Sequence, residues 1–203
     1  MYAIVENNEI TKIITNPKSL VISDVRYPAK IFQLWSQSEL NAIGIYEVIT
    51  DSTNFKDQAY YNNTNEEYNF TDNQVTRSWG TATPKRLEDE NAVDENGDPV
   101  LDDDGVQLIN YGLKTEKKRI VKQQASGLLA PTDWYVVKAS EVADYSVPSN
   151  ISTFRADVRT KSNEMETQID ACTNVDELKA LYEYTTQEDG TQTRPLAEFP
   201  EEI

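Results

Sequence analysis

Ile151, Phe154, Val158, Met165, Ile169 and Cys172 recur at spacings near three, four and seven along one stretch of the chain. Only an α-helix brings such a series onto a single face, because its 3.6-residue turn stacks positions i, i+3, i+4 and i+7. So long a stripe has to be buried against a second surface, which commits this part of the chain to a helical core. Ser149 is placed to cap the helix. Asn174 stands three residues before Glu177 and opens another, for which Leu178, Leu181 and Tyr182 supply the packing face. The two helices are expected to form a hairpin.

Upstream, the pattern from Leu113 to Leu129 is also helical. Ile120, Val121, Ala125, Leu128 and Leu129 mark an apolar side, and Lys114, Lys117, Lys118, Arg119 and Lys122 decorate the rest. Pro131 is expected to stop this helix, since it lacks the N–H that the helical ladder needs. Trp134-Tyr135-Val136-Val137 then reads as a buried strand or extended segment.

The first eighty residues read differently. Tyr2 to Val5 and Ile10 to Ile14 are short apolar runs joined by Asn7-Asn8, a pair that tolerates the positive φ of a tight hairpin turn. Ile31 to Trp35 alternates like a half-buried strand. Ser36 lies three residues before Glu39, a capping-box spacing, and predicts a short helix over roughly 37 to 42. Ile45 to Ile49 is the next strand, with others around Tyr60, at Tyr68 to Phe70 and from Gln74 to Trp79 after the Thr71-Asp72-Asn73 turn. Tyr60, Tyr61 and Tyr68 form a candidate recognition face, because tyrosine gives large contact area at little rotamer entropy; ordinary sheet packing is the alternative.

Between these regions, residues 86 to 105 hold nine carboxylates against one arginine. Asp94-Glu95-Asn96-Gly97-Asp98-Pro99 starts like a calcium loop and then fails: Pro99 occupies the position that needs glycine, and Gly105 the one that needs glutamate. Asn96-Gly97 and Asp104-Gly105 read instead as two tight turns of an acidic β-hairpin arm, a weak hard-cation site being the other reading. The fold expected is therefore α+β: a β-rich docking domain over 1–83, the acidic arm over 84–112, and a helical domain with an extended tail over 113–203. In the tail, Gln187 to Ile203, the default is a solvated segment, and Leu196 and Phe199 are candidate anchors on an adjacent subunit.

Charge and residue usage narrow the function. A net charge of −16 argues against nucleic acid, which is bound through clustered cations, and against an anionic membrane surface. The five cations of the 113–129 helix match the acidic arm better than a phosphate backbone. The chain has no histidine, no Gly-rich phosphate loop and no Gly-x-Ser-x-Gly signal, and a single cysteine, Cys172, which is expected to be a buried structural thiol. Asp102 and Asp104 lack a pocket to separate their pKa values. No catalytic residue, metal ligand or cofactor is expected. Met1-Tyr2-Ala3-Ile4-Val5-Glu6 has no basic n-region and no long apolar run, so neither a signal peptide nor a transmembrane span is expected, and the sequons at Asn62, Asn69 and Asn150 carry no glycosylation meaning.

The Asp133-Trp134 step, the proline-led helix start at Pro148 and the Phe154-Arg155-x-x-x-Arg159 series resemble a pattern near the ends of tailed-bacteriophage tail-fibre assembly proteins and small tail or virion proteins. The likeness covers about residues 128 to 172. It implies a non-enzymatic virion protein of the tail, baseplate or fibre-attachment region, with other virion proteins as partners and homo-oligomers within an assembly. An assembly chaperone that leaves the particle is the alternative. A second helix, a tail and a β-rich N-terminal domain depart from the assembly proteins. The motif positions are Asp133, Trp134, Phe154, Arg155 and Arg159, with Trp134, Arg155 and Arg159 as interaction candidates. Arg155 and Arg159 are placed to pair carboxylates across an interface. Their plainest role is to hold the helix against the Trp134 segment.

Overall fold

Asn7 and Asn8 adopt φ of 53° and 65°, the left-handed pair that a two-residue hairpin turn demands and asparagine tolerates. They join β1 (Tyr2–Glu6) to β2 (Glu9–Ile14), as the sequence predicts. The computed structural model describes residues 1–202 and divides into two units, Met1–Pro84 and the chain from Lys85 onward. Each has its own core, and the architecture is α+β.

In the first unit a second hairpin, β3 (Leu20–Ile22) and β4 (Val25–Tyr27), turns on Ser23 and Asp24 with φ of 48° and 65°. Sequence reasoning missed it because serine at the first turn position is a weak signal. Ile31 to Trp35 is not a strand. It is a single helical turn, α1 (Ile31–Leu34), started by the Pro28 and Ala29 carbonyls. Over so few residues the two periods cannot be told apart, and the turn buries Ile31 while laying Phe32 on Tyr2, rings 4.9 Å apart. The capping box is present: the Ser36 hydroxyl accepts from Glu39 N–H, and Glu39 Oε2 accepts from Ser36 N–H, at the start of α2 (Gln37–Ala42).

The chain continues through β5 (Ile45–Thr50), β6 (Tyr61–Asn62), β7 (Glu67–Thr71), β8 (Gln74–Ser78) and β9 (Thr83–Pro84). The main sheet runs β2-β1-β5-β8-β7, antiparallel except for the parallel β5–β8 pair, and β6 pairs with β9 outside it. Ile4, Ile14, Ile22, Ile31, Leu40 and Ile45 pack on one face. Ala3, Val5, Val48 and Val75 pack on the other with Tyr46, Tyr68 and Phe70. Covered on both sides, β1 is the unbroken run Ala3-Ile4-Val5 rather than an alternation. The outermost strands, β2 and β7, also touch, so the sheet curls into a half-barrel.

The second unit opens with the acidic segment, which is not a flat hairpin. β10 (Glu90–Asn91) pairs with β11 (Ile109–Asn110), while Val93 bridges Pro99 and Leu101 bridges Gln107. Three short strands thus each pair with both others and close into a small knob. Its turns are tied by Asp94 Oδ1, which accepts from the Asn96 and Asp98 N–H groups, and by Asp102 Oδ1, which accepts from Asp104 and Val106. The remaining connection, 109 back to 91, is non-local and invisible in turn chemistry.

α3 (Leu113–Leu129) has the boundaries its periodicity predicts. Pro131 does not turn the chain into a strand. It sits in the first turn of a 3₁₀ segment, Ala130–Thr132, where a missing N–H costs nothing, and the backbone runs on into α4 (Asp133–Glu141). The Trp134 to Val137 run is therefore helical. α5 (Ser149–Ala171) begins at Ser149 itself; Pro148 holds the cap position and no side chain caps the end. The expected hairpin of α5 with α6 (Val175–Ala180) is secondary, because the long antiparallel partner of α5 is α3. Lys114 near the start of α3 meets Asp170 near the end of α5, and Leu129 meets Arg155. Asn174 caps α6 by accepting from Glu177 N–H. A final hairpin, β12 (Thr185–Thr186) with β13 (Gln192–Thr193), precedes the terminal segment. No helix among the described residues is long and apolar enough to cross a membrane.

Candidate docking surface

α4 carries Trp134, Tyr135, Val136 and Val137 within about one turn of backbone, yet none of its nine residues is buried. Trp134 is 52% exposed, Val137 52% and Val136 44%. The indole lies against Tyr135, ring centroids 3.9 Å apart, and Lys138 Nζ is 4.3 Å from the Tyr145 ring beyond the helix end. A nine-residue helix is marginal alone. This one is held from its start. Arg155, on α5 and itself buried, reaches Asp133 Oδ1 at 2.8 Å and donates to the Leu129 carbonyl at 3.0 Å and to the Thr132 hydroxyl. One guanidinium therefore ties the end of α3, the 3₁₀ turn and the first residue of α4 to α5.

Arg155 is thus used inside the unit, not across an interface. Arg159 donates to the Arg155 carbonyl at 3.2 Å one turn on. The basic face of α3 is likewise matched within the unit. Lys114 pairs with Glu88 and also donates to the Asp170 carbonyl, Lys118 meets Asp170 at 2.7 Å and Lys122 meets Glu166 at 3.2 Å. The bond to Asp170 raises the Lys118 pKa. These lysines step four residues apart along the side of α3 that faces α5.

The tyrosine candidates separate. Tyr60 and Tyr61 are buried, at 5% and 4% exposure, which assigns them to packing. Tyr68 is half-buried, and its hydroxyl donates to Glu66 at 2.6 Å. Burial first, then that bond, raises the Tyr68 pKa, and the Tyr68 and Arg77 bonds lower that of Glu66.

The tail packs only in part: residues 187–193 are exposed, while Leu196 and Phe199 seat on their own chain. Leu196 is buried, its N–H donating to the Leu181 carbonyl at 3.0 Å. Gln168 grips the same segment, donating to the Pro195 carbonyl and accepting from Ala197 N–H. Phe199 packs on Ala125, Phe154 and Val158. Leu196 and Phe199 fill gaps in this core, which a sequence without visible periodicity does not announce.

Cys172 is buried, and burial pushes its thiol pKa up. No group of three or more His, Cys, Asp or Glu side chains is placed to hold a metal ion among the described residues. Apolar side chains stay exposed at several places, among them the α4 side chains with Val142 after them and, on the knob, Val93, Leu101, Val106, Leu108 and Ile109. Sequence reasoning missed the knob set. The available signal was three apolar residues at equal intervals within an otherwise acidic segment. No family model, curated protein or solved structure matches this chain.

Proposed function

We propose that this chain is a non-enzymatic structural protein of a tailed-phage virion, in the tail, baseplate or fibre-attachment region, acting by docking other proteins. The observation that carries the docking reading is α4, whose Trp and Val side chains lie uncovered on a helix that buries nothing of its own. Covering such side chains stabilises a complex by about 25 cal/mol per Å² of apolar surface, before the costs of association. Tryptophan is also among the residues on which interface energy concentrates.

The virion assignment rests on the resemblance around Asp133-Trp134 and Phe154-Arg155-x-x-x-Arg159. Within this chain Arg155 ties the start of the helix that displays Trp134 to α5, through Leu129, Thr132 and Asp133. Of the resembling positions, Asp133 and Arg155 meet at the start of the docking helix and Trp134 lies on it.

Quantitative mass spectrometry on gradient-purified virions of the parent phage tests the assignment. The expected result is this chain at a fixed copy number, in a multiple set by the symmetry of the assembly. Its presence only in infected-cell lysate, bound to fibre protein, would replace the reading with that of an assembly chaperone.

A further inference from the structure

Ala92, Val100 and Leu108 form a closed ring of backbone hydrogen bonds: Leu108 O accepts from Ala92 N–H at 2.8 Å, Ala92 O from Val100 N–H at 3.0 Å, and Val100 O from Leu108 N–H at 2.9 Å. The three positions are equally spaced in the sequence. The cross-strand bridges follow the same step, Val93 with Pro99, Leu101 with Gln107 and Ile109 with Asn91. Gln107 Nε2 lies 2.8, 3.1 and 2.9 Å from the carbonyls of Ala92, Val100 and Leu108, so all three oxygens converge on one point. The knob is a pseudo-threefold object made from one chain. Two of its sides are the Asp94 and Asp102 turns, and on the third the chain enters and leaves.

The residue after each ring position is apolar and uncovered: Val93 at 57%, Leu101 at 53% and Ile109 at 38% exposure. Ring closure explains the backbone repeat. It does not explain why the three equivalent outward positions are all apolar within a segment this acidic.

We propose that the knob docks on the threefold axis of a homotrimeric protein. Val93, Leu101 and Ile109 each enter the same apolar recess of a different subunit, and basic side chains of the trimer meet the surrounding carboxylates. Three identical recesses about an axis are filled by one chain only if that chain repeats its contact residue around the same axis. The nine carboxylates and one arginine of residues 86 to 105 select a basic partner and disfavour a second copy of this chain.

The test places the photo-crosslinker p-benzoylphenylalanine singly at Val93, Leu101 or Ile109 of the full chain, in the cells that naturally produce it. Adducts are then sequenced by mass spectrometry. The expected result is that all three positions capture the same short peptide of one partner polypeptide, and that the native complex weighs as three partner chains to one of this protein. Three different peptides, adducts to this chain itself, a partner that is not trimeric, or no adduct at any position would overturn the proposal. The readout does not require retention in a virion, so it succeeds or fails independently of the virion assignment.

Discussion

Removing Arg155 separates two explanations of what holds α4. The side chain is 10% exposed and contacts three acceptors, whereas its ionic partner Asp133 is 60% exposed. A hydrogen bond to a charged group contributes about 1.5–3 kcal/mol when partly buried. A pair with one partner this open to water contributes at most about 1 kcal/mol. Thr132 also donates to the Leu129 carbonyl, at 2.7 Å, so that oxygen keeps one bond when the guanidinium is gone. Arg155→Met is therefore expected to cost about 2–4 kcal/mol and Asp133→Asn under about 1 kcal/mol. In a unit of this size those values lower Tm by roughly 10 °C or more and by no more than about 5 °C. Thermal unfolding followed at 222 nm reads mainly this unit, because the long helices α3 and α5 both lie in it. Equal losses from the two substitutions would refute the reasoning and make the ion pair itself the anchor.

Leu196→Ala should destabilise the second unit by about 2–4 kcal/mol in urea unfolding, the range for emptying a filled core site; a solvated tail would give almost nothing. Gly112→Ala should cost more than Gly97→Ala in the same assay. A Cβ on Gly112 would lie 2.4 Å from the Glu88 carbonyl carbon and oxygen, while Gly97, with φ of 87°, has open space and carries only a strain of about 1–3 kcal/mol. The backbone N–H of Thr173, then its hydroxyl, holds the Glu177 carboxyl below its usual range. With the folded pKa depressed, the contribution is present above the unfolded value of about 4.3 and is lost as pH falls through the folded one. Glu177→Gln should flatten that acid limb of stability, measured as urea midpoints across acidic pH.

The sequence was most legible where the physics is local. Asn7-Asn8, the Ser36 and Glu39 box, the Asn174 cap and the stripe from Ile151 to Cys172 each contain their own reason within a few residues. It was least legible where a distant side chain decides. Trp134-Tyr135-Val136-Val137 has strand-forming residues, but the helical backbone arriving through Thr132 and the grip of Arg155 from α5 make it a helix. The paired arginines were visible as a feature, though their spacing does not say which face is buried; Arg155 turned inward to bind its own chain. For Tyr60 and Tyr61 the choice between a recognition face and sheet packing stayed open, because nothing adjacent in sequence reports the packing that covers them. The knob needed a pairing between Asn91 and Ile109, which no turn signal encodes.

The curl of the first unit's sheet bears on how it behaves at high concentration. An open sheet edge recruits further strands and seeds aggregation. Here β2 and β7 touch, and an intruding strand would need a gap of about twice the ~4.8 Å spacing between neighbours. Polymerisation by strand addition has no slot to enter at that seam. Contact with other molecules at that seam is left to side chains, whose chemistry selects a partner as backbone hydrogen bonding does not.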